Sequence, residues 1–355
     1  MDIRDYTEQT FDDAKEIVKA RFGDGACFLL RKLLDNPLRS LFPSAGDIAY
    51  RDGKPIVFQA AILKRLFLRQ TEVLGIVGAM LCKIPKAPLR YVLSVTERTY
   101  ISRAGSKMMF GNTVMPVSAG ISLVSNSTAG PESCENIRFC VIRLGGFLNF
   151  VTHGKLPSFM VWLLDGLWLW GTKIFDGSKG MVCVRRIMSL DETAMDDFWK
   201  RYLASNKGLV CSRTKKELNW VFGEGIKNGT AHFLVLEKEG QLCGYVVLKR
   251  MSEDLSSRWM VVDWIAERDD RELLIELLAG AKRHLQTVQG AAFVEIIGYP
   301  MFVQDVIREV FPYHRKAQSN SFTCRIDDAS FRQEFNRVKD VSWFFGAYDG
   351  DRCFC

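Results

Sequence analysis

The sequence predicts an α/β fold: two mixed β-sheets flanked by helices, one after the other along the chain. Three observations carry this. The length, 355 residues, suits about two domains at roughly 100–200 residues each. The composition, 48% hydrophobic and 25% charged, is that of an ordinary globular protein and excludes collagen, coiled coil or disorder as the main state. Strand and helix signals also run through the same order twice.

In the first half, residues 7–22 read as an amphipathic helix with acids in its first turns. A second helix is expected over 26–35. Residues 46–68 read as two strands around an Arg51-Asp52-Gly53-Lys54 turn, since Asp-Gly is a strong hairpin signal. Residues 71–84 form a near-continuous apolar run, so they predict a central strand buried on both faces. Pro85 and Pro88 end it. A helix over 89–104, a short strand over 106–113, a helix over 116–126 and a strand over 136–144 follow.

The second half repeats the order. Strand 181–187 and helix 190–205 precede two strands over 232–251, which turn at Lys238-Glu239-Gly240-Gln241. Then come a buried strand over 258–267, a helix over 269–288, a strand over 291–298, a helix over 303–311 and a final strand over 319–326. The expected division is an N-terminal domain 1–153, an apolar helical linker 154–180 and a C-terminal domain 181–355.

Charge is uneven. Of the net +7, residues 1–180 contribute 23 Lys and Arg against 16 Asp and Glu, whereas residues 181–355 carry 25 of each. An anionic ligand is therefore expected in the first half. The excess is too dilute to demand nucleic acid. The N-terminal stretch MDIRDYTEQTFDD lacks an apolar segment, so no signal peptide is expected. The ten cysteines are scattered without metal-ligand spacing, which points to reduced thiols in the cytoplasm and to no metal site. Residues 159–175 are apolar and Trp-rich but shorter than the ~20 residues a bilayer span needs, with Asp165 near their centre. A buried helix is the first expectation for this segment, and a membrane-surface helix is the alternative.

The element order, a hairpin, a long central strand, a helix, a short strand, a helix and a returning strand, resembles the GNAT superfamily of N-acetyltransferases. Two further stretches are similar to bacterial tandem members. One is Arg213-Thr-Lys-Lys-Glu-Leu218-Asn-Trp220-Val-Phe222; the other is the closing Val341-Ser-Trp343-Phe-Phe-Gly346-Ala-Tyr-Asp349-Gly-Asp351. The resemblance implies two GNAT-like domains in tandem, with Fem-type aminoacyl transferases as more distant likenesses. It also implies an acyl-CoA co-substrate, acetyl-CoA first among them, and an amine acceptor such as a small molecule or a cell-envelope precursor.

Pantetheine would then lie along the central strand, at Gly75, Ile76 and Val77, with the pyrophosphate at the start of the next helix. Neither half has the usual Gly-rich basic loop. The first offers Lys83, Lys86 and Arg90, but Pro85 and Pro88 remove backbone donors. The second offers Glu267, Asp269 and Asp270, whose charge suits a helix N-terminus and repels phosphate. The first half is thus the better acyl-CoA candidate.

Tyr313 and His314 are candidates for a thiolate-protonating acid and a general base; the plain alternative is a loop pair with no catalytic role. Asp263 lies inside an apolar strand, so it must be paired or protonated. It reads either as a general base or as an arginine's partner. Arg213, Trp220 and Tyr299 are candidate substrate-binding residues; their alternatives are a clamp at the domain junction and a core aromatic. Three functions compete: an N-acyltransferase, a catalytically degenerate binding or assembly module, and a Fem-type enzyme that would need tRNA.

Overall fold

The structure is a computed structural model and describes residues 1–42, 44–101, 108–113, 127–129, 136–175, 184–251, 258–316, 321–326, 328–344 and 346–349. The helix expected over 116–126 lies outside these residues. The first half contains β1 (Asp2–Asp5), α1 (Phe11–Phe22), α2 (Phe28–Leu34), β2 (Gly46–Arg51), β3 (Lys54–Leu68), β4 (Thr71–Lys83), α3 (Leu89–Ile101), β5 (Met108–Thr113), β6 (Ser127–Ala129) and β7 (Asn136–Val141). A helical hairpin follows, α4 (Leu144–Val151) and α5 (Ser158–Phe175).

The second half contains β8 (Val184–Ile187), α6 (Met195–Ser205), β9 (Leu209–Cys211), α7 (Lys215–Asn228), β10 (Ala231–Lys238), β11 (Gln241–Arg250), β12 (Arg258–Ala266) and α8 (Arg271–Thr287). It ends with β13 (Phe293–Ile297), α9 (Gln304–Val310), β14 (Tyr313–Lys316), β15 (Ser321–Arg325), α10 (Ala329–Ser342) and β16 (Trp343–Phe344).

Local chemistry explains many of the boundaries. Both expected hairpin turns form. Asp52 and Gly53 have φ of 52° and 75°, and Glu239 and Gly240 have φ of 53° and 76°. Two successive left-handed residues match the twist of the flanking strands, and glycine adopts the second without a Cβ clash. α7 starts with a capping box: the Thr214 side chain accepts from the Glu217 N–H, while Glu217 bonds back to the Thr214 N–H. It stops at Gly229, which is left-handed.

Two sheets result. The first runs β1-β2-β3-β4-β5-β15-β6, and the second runs β8-β10-β11-β12-β13-β7-β14. The orders correspond strand for strand, and in each only the fourth and fifth strands, β4 with β5 and β12 with β13, are parallel among these neighbours. The sixth place in each sheet is filled by the other half. β7 sits between β13 and β14, and β15 sits between β5 and β6. The division at 153 and 181 therefore does not separate the sheets. Each half completes its neighbour, and one hydrophobic core runs from Tyr6 to Tyr348. The far end of β3 adds another join, since Leu66–Leu68 pair with Leu209–Cys211 of β9.

The exchanged strand β7 is clamped. Glu295 on β13, almost fully buried, receives Arg258 from β12 at 2.8 Å and Arg315 from β14 at 2.7 Å. Arg315 reaches this carboxylate across β7. α4 packs beside it, with Phe147 and Phe150 against Phe293 at centroid separations of 5.4 and 4.8 Å.

A histidine pair lies in the same half. His232 Nδ1 and His284 Nε2 are 2.8 Å apart, and His232 also packs on Trp259. Burial, aided by Arg186 and His284, pushes His232 down to about 4. The fold therefore favours its neutral form. That contribution is whole above the unfolded value near 6.5 and is lost as pH falls toward 4. By pH 5 the loss should reach about 2 kcal/mol. Asp263 and Asp269, both pushed up to about 6 by burial, act in the opposite direction, since the fold favours their protonated forms. The informative measurement is therefore a difference in urea midpoints between wild type and His232→Gln at pH 7.5 and pH 5. The wild type should lose more stability on acidification. Equal losses would contradict the assignment.

Candidate functional site

The candidate site lies where parallel neighbours part. In the first sheet, β4 pairs with β5 only at Gly75–Val77, opposite Met108–Phe110. β4 then continues to Lys83, and among the described residues no strand pairs with that outer edge beyond Val77. The register between β3 and β4 shifts between Phe58 and Ala60, and Met80 takes φ of 48°. Such a bulge turns backbone groups out of the ladder. The Gly75, Ile76 and Val77 segment expected to line the groove is thus its closed end, held in the ladder. Gly78–Lys83, paired with β3 on one side, is the stretch whose outer edge no described strand pairs.

Lys83, Lys86 and Arg90 stand at the end of β4, on the turn that follows and in the first turn of α3. Lys83 and Lys86 are exposed, Lys86 takes φ of 65°, and Arg90 lies over the Tyr91 ring at 5.3 Å. α3 begins at Leu89, directly after Pro88. Its far end is fixed to the sheet. Asp47 on β2 accepts from the Thr99 hydroxyl at 2.6 Å and pairs with Arg98 at 3.2 Å. The start of α3 is consequently held beside the cationic turn, and both favour an anion.

The second sheet parts in the same way but is closed. β12 and β13 pair over Arg258–Val261 and Phe293–Ile296. Beyond this, the C-terminal segment fills the slot. The Tyr348 N–H donates to the Val262 carbonyl at 2.7 Å, and Phe344 packs on Trp264 at 4.4 Å. The helix start is closed to anions as well. The Asp270 carboxylate accepts from the Leu273 N–H at 3.0 Å, Asp269 accepts from the Tyr202 hydroxyl at 3.1 Å, and Glu267 pairs with Arg201 at 3.0 Å.

Arg213 and Asp263 hold that segment in place. Arg213 is fully buried. It donates through Nε to Asp263 at 3.0 Å, through Nη2 to Asp349 at 3.1 Å and through Nη1 to the Cys211 carbonyl at 2.6 Å. Its guanidinium lies over Phe344 and Tyr348 at 4.9 and 4.7 Å. The Tyr245 hydroxyl donates to Asp263 at 2.6 Å. Burial outweighs the nearby Arg213 charge and pushes Asp263 up to about 6, with Asp349 adding to the rise. Of the two readings open for Asp263, the geometry matches the arginine partner.

The remaining candidates are dispersed. Trp220 donates from Nε1 to the Lys32 carbonyl at 2.8 Å, while Lys32 Nζ donates back to the Val221 carbonyl at 2.5 Å. This ties α2 to α7, as a junction clamp does. Tyr299 is buried, and burial raises its pKa. Tyr313 is exposed on β14, the edge strand of the second sheet, with its ring stacked on Phe139 at 5.3 Å. His314 on the same strand meets Asn136 Oδ1 at 3.0 Å. Neither joins the β4 groove, which belongs to the other sheet.

Lys64 links the two halves. It is buried on β3 and donates to the Tyr348 carbonyl at 2.9 Å. A lysine in a strand that is otherwise apolar on that face was the available signal. Among the described residues, no group of three or more His, Cys, Asp or Glu could hold a metal. Burial pushes the Cys82 and Cys140 thiols up to about 12, which makes them inert.

Comparison of the whole chain with solved structures decides the fold. It is GNAT-like. A GCN5-related N-acetyltransferase from Kribbella flavida superposes with a TM-score of 0.57 at 14% identity, covering 92% of this chain and 71% of the other. A putative acetyltransferase from Pyrococcus horikoshii gives 0.54 at 12% identity, covering 98% and 95%. N-myristoyltransferase from Saccharomyces cerevisiae, solved with myristoyl-CoA, gives 0.53 at 12% identity, covering 91% and 80%. No family model and no curated protein matches the sequence. Likeness at these identities establishes the GNAT-like fold and leaves activity to the chemistry of the site.

Proposed function

We propose that the protein is an N-acyltransferase that binds one acyl-CoA per chain, in the first half. The observation that supports this most is the asymmetry of the two partings. Among the described residues, one is open and cationic; the other is filled by the segment Trp343–Asp349 and bordered by carboxylates. Acyl-CoA suits the residues present in the first. Backbone groups along Gly78–Lys83 match the amides of a pantetheine arm, and Lys83, Lys86 and Arg90 match its phosphates.

The reaction is attack of a free amine on the thioester carbonyl, with the thiolate as leaving group and acetyl-CoA the first donor to test. The protein's contribution is mainly placement of the two reactants, together with N–H donors of the bulged β4 directed at the developing oxyanion. Pro85 and Pro88 leave few backbone donors for a pyrophosphate. The side-chain cations therefore carry that interaction, and affinity should fall as salt rises.

The same two prolines favour a second reading, a catalytically degenerate module that binds a partner instead of a thioester. Titration calorimetry with acetyl-CoA and longer acyl-CoAs separates the two. The proposal expects a stoichiometry of one and CoA release with an amine acceptor. No heat and no thermal stabilisation at millimolar ligand would favour the degenerate module.

A further inference from the structure

α5 is not the buried helix expected over residues 159–175. Its inward face rests on α4, where the Asp165 carboxylate accepts from the Gly146 N–H at 3.0 Å, but Trp162 is 76% exposed and Trp170 68% exposed. No helix among the described residues is long and apolar enough to cross a membrane. Nothing in the structure says what covers the outward face of α5. A cluster at the far end of the second sheet is more informative, because its unmatched groups define the chemistry of a ligand.

Four neighbouring strands and α8 each bring one side chain to that cluster. They are Arg186 on β8, His232 on β10, Arg250 on β11, Trp259 on β12 and His284 in the last turn of α8. His232 bonds His284 at 2.8 Å and packs on Trp259 at a centroid separation of 4.8 Å. A Cβ built at Gly229, the left-handed end of α7, would lie 4.0 Å from Arg186 Nη2. Burial first, and Arg186 second, hold both histidines below their usual value, and Arg250 acts on His232 in the same direction. Near pH 7 the histidines are therefore neutral, and the positive charge here is that of the arginines.

The cluster has donors without acceptors. Arg186 Nε and Trp259 Nε1, on either side of His232, are buried and have no hydrogen-bond partner among the described residues. Trp259 as a whole is 3% exposed. Arg185, on the opposite face of β8, pairs with Glu192 and Glu237 at 3.3 Å each. No described carboxylate pairs with Arg186. Buried donors without acceptors are costly, and a partly buried charge without a counter-charge more so. Two such donors beside unmatched positive charge suit one ligand that brings both acceptor oxygens and negative charge. A phosphate-type oxyanion does so. A metal ion is repelled by the arginines, and a water molecule leaves the charge of Arg186 unmatched. The C-terminal end of α8 would oppose an anion, but its last carbonyls are already engaged. Arg143 Nη2 donates to the Gln286 carbonyl at 2.9 Å and to the Val288 carbonyl at 3.4 Å.

We propose that Arg186 and Trp259, with His284 and Arg250 beside them, form a binding site for a phosphate-type oxyanion at the C-terminal end of α8. The site lies at the other end of β12 from the closed parting, and in the other sheet from Lys83, Lys86 and Arg90. It is therefore independent of the acyl-CoA reading. The test is proton NMR of the full chain titrated with inorganic phosphate at constant pH and ionic strength. The chain has four histidines, whose resonances are assigned by replacing each with glutamine. Phosphate should shift His232 and His284 saturably and leave His153 and His314 in place. Lys83→Glu with Lys86→Glu should keep these shifts, which separates the site from the β4 turn. Arg186→Gln should weaken phosphate binding about tenfold or more. Trp259→Phe, which keeps the ring and removes the N–H, should weaken it as well. Glycerol 3-phosphate distinguishes the source: tighter binding than phosphate assigns a phosphomonoester, equal binding assigns the free anion, and both uphold the site. The proposal is overturned if millimolar phosphate moves neither His232 nor His284, if all four histidines move together, or if Arg186→Gln binds as wild type does. The wild-type shifts decide the matter even where a variant fails to fold.

Discussion

Replacing Arg213 by methionine should destabilise the fold by about 3–5 kcal/mol, the usual cost of leaving buried charge without its partner. Arg213 faces two fully buried carboxylates, Asp263 and Asp349. Without the guanidinium, both lose charge-assisted bonds in a medium that solvates them poorly. The loss would also loosen the segment Trp343–Asp349 in the β12 parting, because Asp349 is one of its polar anchors. Urea unfolding followed by fluorescence measures the cost. A milder variant guards against complete unfolding. Asp349→Asn keeps the shape and removes one of two like charges, so it should cost less, about 1–2 kcal/mol. A cost below about 1 kcal/mol for Arg213→Met would mean that the cluster is not what closes the second parting.

Charge reversal at the β4 turn is the second large effect. Lys83→Glu with Lys86→Glu should weaken acyl-CoA binding roughly 10- to 100-fold, or about 1.4–2.8 kcal/mol. Both side chains are exposed, so folding stability should move by no more than about 0.5 kcal/mol. The variant should also lose most of the salt dependence of binding, because phosphate attraction is the part that salt screens. If affinity and its salt response both survive, these lysines belong to a solvated edge, where they would serve only to discourage strand pairing.

Much of this fold was legible from local pattern. Asp52-Gly53 and Glu239-Gly240 announced their turns because the φ values required there are costly for most residues. The apolar runs at 71–84 and 258–267 announced central strands because both faces are buried. Pairing partners were not legible. β7 and β15 have unremarkable strand patterns, and nothing local says that each fills a place in the other half's sheet. Partner choice is a long-range property that side-chain alternation cannot encode.

The site shows the same division. Excess positive charge in the first half and acids at 267–270 pointed to opposite electrostatics, and the two helix starts have them. The tail motif ending at Asp349 was visible as letters, but its role as the filler of the β12 parting needs coordinates. Asp263 left two readings open because burial demands a partner without naming it; that partner, Arg213, lies 50 residues away. Tyr313 left a catalytic reading and a loop reading open and lies on an edge strand; a four-residue strand after a short helix has too little pattern to register.

Hydrogen–deuterium exchange with a non-reactive acetyl-CoA analogue tests the central claim most directly. At saturation, amides of Gly78–Lys83 and of the start of α3 should gain protection. Those of Val262–Ala266 and the start of α8 should not change, because the C-terminal segment already occupies that parting. Protection confined to the second region, or none in either at saturating ligand, would contradict an acyl-CoA site in the first half.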